Sequence, residues 1–184
     1  MFYKYSLQLL EERGVRIRDI AEIVYDLQSP HHPSMEMKEC LESVEAVLRK
    51  REVQHALITG ISIDVLAEKR RLSGPFQTIM DSDDPLYGID EILALSITNV
   101  YGSIGLTSFG YLDRQKTGII KALDDHPDRI HVFLDDIVAG LAAAASARIA
   151  HNRPNRERYR SVLGKMGAVD ESADGGNGDS EEGG

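Results

Sequence analysis

The chain has a single cysteine, Cys40, among its 184 residues, so no intramolecular disulfide can form. There is no Cys or His cluster of the kind that holds zinc. The opening residues Met1-Phe2-Tyr3-Lys4-Tyr5 lack the charged-then-apolar layout of a secretory signal, and a reducing cytoplasm is the expected compartment. Sustained two-residue alternation of apolar and polar side chains is missing throughout, which argues against strands. Neither Gly60-Ile61-Ser62 nor Ser73-Gly74 has the lysine and glycine spacing of a phosphate-binding loop. Lys and Arg are absent from Val169 to Gly184, and every charge is absent from Ile92 to Leu112.

What is present is helical spacing. Leu7, Leu9 and Leu10 ahead of Gly14 predict a short helix, and Ile17, Ile20, Ile23, Val24 and Leu27 a second one running up to Pro30. Ser34 is placed to cap a third helix carrying Met37, Leu41, Val44, Val47 and Leu48, and a fourth runs from about Glu52 to Arg71. Leu72 to Pro85, with Gly74, Pro75 and Asp81-Ser82-Asp83-Asp84-Pro85, reads as a loop holding one helical turn. The expected fold is an all-α, single-domain helical bundle over residues 1–168, without internal repeats. Residues 169–184, rich in Gly, Asp, Glu and Ser, read as a disordered acidic tail. That tail contributes Asp170, Glu171, Asp174, Asp179, Glu181 and Glu182 to the net charge of −9, so the remainder is close to balanced.

The charge-free stretch Ile92 to Leu112 is long enough to cross a bilayer. Its Ser, Thr, Asn and Gly residues dilute its hydrophobicity, however, and Gly102 and Gly105 mark a bend between two helices. A buried central helix, apolar on all faces because neighbours surround it, is the expectation, with no transmembrane span. The excess of Arg between Arg148 and Lys165 either docks an anionic surface, making a peripheral membrane contact, or forms the solvated end of a last helix.

Carboxylates in apolar settings carry the chemistry. Asp135-Asp136 heads the alanine-rich run Ile137 to Ala147; Asp90-Glu91 lies inside Leu86 to Leu95; Asp113 closes Phe109 to Leu112. A buried carboxylate without a partner is costly, so these acids ask for a cation or a hydrogen-bond network. For Asp135 alone, a helix cap is sufficient explanation. If the acids converge, an all-oxygen donor set suits Mg²⁺ or Mn²⁺, and such an ion suits phosphoryl chemistry. Lys116, three residues past Asp113, shares its face if the helix continues, and Arg114 is a second cation nearby. His31-His32, between Pro30 and Pro33, reads as an exposed turn rather than a metal pair.

Asp90-Glu91, Tyr111-Leu112-Asp113-Arg114-Gln115-Lys116 and Asp135-Asp136-Ile137-Val138-Ala139-Gly140, in that order, resemble the phosphatidylglycerophosphatase A family. Asn99-Val100-Tyr101-Gly102-Ser103-Ile104-Gly105 is similar to its soluble, YutG-like branch. The resemblance runs from about Gln54 to His151. It implies an all-helical fold with a central helix wrapped by others, and Mg²⁺-dependent removal of the terminal phosphate of phosphatidylglycerophosphate or of a smaller soluble ester. It also implies metal ligation by Asp90, Glu91, Asp113, Asp135 and Asp136, with Asp113, Lys116 and Asp136 as the catalytic set. The chain departs from the membrane-bound members in residues 1 to 50, and at Thr117, near which they carry a proline.

Two rival readings stand beside this one. Glu39, Glu42 and Glu45 resemble the acidic helices of all-α nucleoside triphosphate pyrophosphohydrolases. Alternatively, the acids are caps and ion pairs in a non-catalytic interaction protein whose charge-free face serves oligomer packing. A homo-oligomer is expected, a nucleic-acid partner is not.

Overall fold

Small side chains decide which helix occupies the centre. The structure, a computed structural model, describes residues 2–170, with side chains as far as residue 152. It divides into two units, Met1–Ile149 and Ala150–Gly184. The described residues form only helices: α1 Tyr3–Glu12, α2 Ile17–Gln28, α3 Met37–Leu48, α4 Arg51–Glu68, α5 Gly74–Ser82, α6 Ile89–Thr98, α7 Gly102–Gln115, α8 Ile119–Asp124 and α9 Leu134–Asp170. A single 3-10 turn, Asn99–Tyr101, joins α6 to α7. The tail expected from residue 169 lies mostly outside the described residues, as do most side chains of the basic stretch.

The buried central helix is the first part of α9. From Leu134 to Ala147 its residues are buried on every side. Small side chains there let neighbouring helices come close. On α4, Gly60 lies so near α9 that an added Cβ would fall below contact distance from Ile137 Cδ1 and 2.9 Å from Phe133 Cβ. Gly60→Ala is therefore expected to cost about 1–3 kcal/mol, the usual penalty for overpacking, despite the better helix propensity of alanine. Urea denaturation checks this; an unchanged midpoint would mean that α4 and α9 slide apart freely. Buried polar ties add specificity: Gln28 Nε2 donates to Ser146 Oγ at 2.6 Å, and Ser43 Oγ to the Ala145 carbonyl at 2.8 Å.

The expectation that Ile92 to Leu112 would be the buried helix is corrected. Ile89–Gln115 is apolar and long enough to cross a membrane by composition and length, but only 28% of its most apolar window is buried. The chain doubles back at Gly102, whose φ of +71° suits glycine and disfavours any residue with a Cβ. Asp90, near the start of α6, and Asp113, near the end of α7, consequently reach the same cavity. The arms of this hairpin have 10 and 14 residues. At 1.5 Å per residue neither matches a hydrocarbon core of about 30 Å.

Leu72 to Pro85 also holds more than one turn, since α5 occupies nine residues of it. Pro75 sits in the first turn of α5, where its missing N–H is no loss. The other helices follow their apolar spacing, although Glu36 rather than Ser34 stands at the N-cap of α3, paired reciprocally with Glu39.

Candidate active site

Three segments bring the acids together. The start of α6 supplies Asp90 and Glu91, the end of α7 supplies Asp113, and the first turn of α9 supplies Asp135 and Asp136. All of them line one cavity of about 190 Å³, together with Asp83, Asp84, Pro85, Gly88, Lys116 and Val132. Lys116 is the one cation in that lining. The acids are thus gathered rather than separately pinned by arginines.

Lys116 reaches the cavity by leaving the helix. α7 stops at Gln115 and Lys116 takes a left-handed conformation, φ +44°, so the expected continuation of the helix does not occur. Its ammonium lies 2.5 Å from Asp135 Oδ2, 3.2 Å from Asp124 Oδ1 and 3.8 Å from Asp113 Oδ1. Burial alone would lower its pKa, but the charge and hydrogen bond of Asp135, with help from Asp124 and Asp136, raise it and keep the group protonated. Asp83, also in the cavity lining, is left-handed as well at φ +47°. Two non-glycine residues in this region cost about 1–3 kcal/mol each, and such strain clusters at functional sites.

Electrostatics in the cavity remain unbalanced. Burial raises Asp136 to about 9, with the charges of Asp135 and Asp113 adding to the effect. Asp135 rises to about 6 through burial, held there against the lowering pull of Lys116. Burial likewise raises Asp83, Asp90 and Glu91. One ammonium does not neutralise this set, so a further positive charge would lower the free energy of the site.

The start of α9 is held by a residue that the sequence reading missed. Asp64 of α4, fully buried, accepts the Phe133 N–H on Oδ1 and the Leu134 N–H on Oδ2, each at 3.1 Å. These are unpaired donors of a helix N-terminus, satisfied here by a side chain from another helix. Burial raises the Asp64 pKa well above the usual range, against the opposing pull of the two N–H groups and the Arg13 guanidinium. The signal was available, because Asp64 stands between Ile63 and Val65 in another apolar run. Asp83, Asp84 and Asp124 were also missed.

Just upstream, Arg13 Nη2 donates to Glu68 Oε1 at 2.7 Å and to the Ile130 carbonyl at 2.6 Å. His131 is buried, with Nδ1 3.0 Å from the Leu123 carbonyl. Burial pushes its pKa down to about 4. Because the unfolded imidazole titrates near 6.5, its contribution to stability is present above that pH and is lost as pH falls towards 4. At 1.36 kcal/mol per unit, the loss reaches about 3 kcal/mol. Denaturant titrations at near-neutral and acid pH should show a steeper acid loss in the wild type than in His131→Asn; equal slopes would contradict this.

The other candidates lie elsewhere. Arg114 is exposed and not in the cavity lining. His31 is exposed and His32 partly so, in a turn. Glu42 is exposed on α3 and Glu45 pairs with Arg49 at 3.6 Å, which marks that acidic row as surface.

Among the described residues, no three Asp, Glu, His or Cys side chains are placed to close around an ion. The donor set nevertheless fits a hard cation by its chemistry: every acidic donor in the lining is a carboxylate, and a cation, the Lys116 ammonium, already draws three acids together.

The family model for phosphatidylglycerophosphatase A matches residues 13–151, a longer stretch than the one that carried the resemblance. Two Bacillus subtilis (strain 168) proteins, themselves uncharacterized, are similar over most of their length. YpjQ is 60% identical over 143 residues, 78% of this chain and 81% of YpjQ. YutG is 52% identical over 149 residues, 80% of this chain and 90% of YutG. The crystal structure of the low temperature requirement C protein from Listeria monocytogenes superposes with a TM-score of 0.81 at 53% identity, covering 83% of this chain and 97% of that one.

Proposed function

This chain belongs to the phosphatidylglycerophosphatase A family, a family of phosphatases, and on that premise we propose that it is a divalent-metal-dependent phosphomonoester hydrolase acting in the acidic cavity. The observation that carries the reading is the convergence of Asp90, Glu91, Asp113, Asp135 and Asp136 on one hollow with a single ammonium for company. Asp90, Glu91, Asp135 and Asp136 would hold Mg²⁺, or Mn²⁺ in its place, with Asp113 either completing the shell or serving as the base. When bound, such an ion neutralises phosphate oxygens and acidifies a water.

The residues divide the remaining work. Asp113, partly exposed at the cavity, accepts a proton from the attacking water and returns it to the departing alkoxide. The water oxygen bonds to phosphorus as the ester P–O bond breaks, giving an alcohol and inorganic phosphate. Lys116, released from Asp135, pairs with a non-bridging phosphate oxygen. The α9 amides nearest the cavity favour negative charge through the helix dipole, while Asp64 occupies those of Phe133 and Leu134.

Phosphatidylglycerophosphate, the substrate that the family name implies, is the first candidate, and a smaller soluble phosphate ester is the alternative. Phosphate release from phosphatidylglycerophosphate, small phosphomonoesters and nucleoside triphosphates, each with Mg²⁺ and with EDTA, tests the proposal. Metal-dependent release from a monoester is expected. No release from any substrate, or pyrophosphate release from the triphosphates alone, would overturn it.

A further inference from the structure

Of the three acids that meet the Lys116 ammonium, two line the cavity and one does not. Asp135 and Asp113 belong to the lining, whereas Asp124, 3.2 Å from the ammonium, stands outside it. The proposed chemistry gives Asp124 no task. Its place is nevertheless built into the chain. Lys116 at φ +44° and Gly118 at φ +57° turn the backbone out of α7, and Gly118 directly precedes α8. Buried Ile120 and Leu123 anchor α8, and its last residue is Asp124. One short helix thus returns an acid to the lysine at which the turn began.

Asp124 is not engaged by the cation nearest to it in sequence. Lys121 pairs with Asp125 at 2.8 Å, and among the described residues the ion pair of Asp124 is the one with Lys116. Burial works against the charge of Lys116, and after Asp135 the hydrogen bond to Asp124 is what sustains it. The two partners differ in what else they can do. Asp135, its side chain 7% exposed, is one of the acids assigned to a divalent ion, while Asp124, at 31%, remains available to the ammonium.

An ion and an ammonium compete for one carboxylate. A half-buried ammonium stripped of its last partner is an uncompensated charge, which is strongly unfavourable. One that keeps a second carboxylate avoids that penalty. How readily Asp135 accepts an ion therefore depends on Asp124.

We propose that Asp124 is a positioning residue, which holds the Lys116 ammonium at the cavity when a divalent cation takes Asp135. This role rests on the metal-dependent function already proposed.

Isothermal titration calorimetry of the full chain with Mn²⁺ tests it in the wild type, Asp124→Asn, Lys116→Met and the double variant, with circular dichroism to verify folding. Asp124→Asn should weaken Mn²⁺ binding by about tenfold, as the loss of one hydrogen bond between charged groups does. Lys116→Met should tighten it, because no ammonium then competes. In the Lys116→Met background, Asp124→Asn should weaken binding by about threefold or less, since Asp124 acts through the lysine. Asp124→Glu keeps the carboxylate and should restore most of the affinity. In phosphate release, Asp124→Asn should raise KM and the inhibition constant of inorganic phosphate more than it lowers kcat. Asp124→Ser and Lys116→Gln replace any variant that does not fold.

Equal weakening in both backgrounds overturns the proposal, because it would show only that the cavity lost a nearby negative charge. No weakening in either overturns it as well. A wild type that binds no Mn²⁺ overturns it together with the metal-dependent function. A chain that binds Mn²⁺ but releases no phosphate contradicts the phosphatase reading alone, and the four affinities still decide the role of Asp124.

Discussion

Asp136→Asn should abolish the rise in Tm that Mg²⁺ or Mn²⁺ gives the wild type, lower phosphate release by more than about 100-fold, and raise the Tm of the metal-free protein. The first two effects follow from losing a carboxylate at the centre of the site, since even changes outside a metal's own ligand shell cost about 10–100-fold. Stabilisation by a bound ion follows its affinity for the folded form, so losing the site loses the shift. The third effect separates a functional acid from a structural one. Asp136 is 4% exposed, and burial with the charges of Asp135 and Asp113 raises its pKa to about 9. At neutral pH that carboxyl is ionised in the unfolded chain and must be neutralised on folding, a cost that the amide does not carry. Were Asp136 part of a stabilising network, Asn would lower the metal-free Tm, and the site reading would fail.

Asp64→Ala should destabilise the fold by about 2–4 kcal/mol and also reduce activity. Two buried N–H groups, of Phe133 and Leu134, lose their acceptors together. Each unsatisfied group costs about 1–3 kcal/mol. Because those residues immediately precede Asp135 and Asp136, the start of α9 shifts as well. A displacement of about 1 Å at a reacting group is worth about 100-fold in rate. Asp64→Asn keeps one good acceptor and should lose roughly half the stability, as urea denaturation would measure. Full stability in Asp64→Ala would show that water or another side chain caps α9.

The helical class and the acids that line the cavity were legible because both rest on local pattern. Three-and-four spacing of apolar residues requires no knowledge of neighbours, and a carboxylate amid apolar residues is conspicuous wherever it falls. Asp135 and Asp136 do sit in the first turn of a helix. The identity of the central helix was not legible. Ile92–Leu112 and Ile137–Ala147 are both charge-free, but the second is rich in alanine, and close helix approach favours small residues over total hydrophobicity. Chain reversal at Gly102 depends on one dihedral angle, and so does the departure of Lys116 from α7. Asp83 and Asp84 lie in a Gly, Pro and Asp segment that reads as a turn, and in fact Pro75 opens a helix there. Asp64 was overlooked although it satisfies the same criterion as the others, an acid in an apolar run, and its partners lie about 70 residues away in sequence, beyond any local pattern.

The most direct measurement is anomalous X-ray diffraction from crystals of this chain soaked with Mn²⁺. The account predicts a Mn²⁺ peak in the cavity lined by Asp90, Glu91, Asp113, Asp135 and Asp136, with the Lys116 ammonium displaced from Asp135. Crystals soaked at saturating Mn²⁺ in which the cavity holds no peak and Lys116 remains on Asp135 would contradict it.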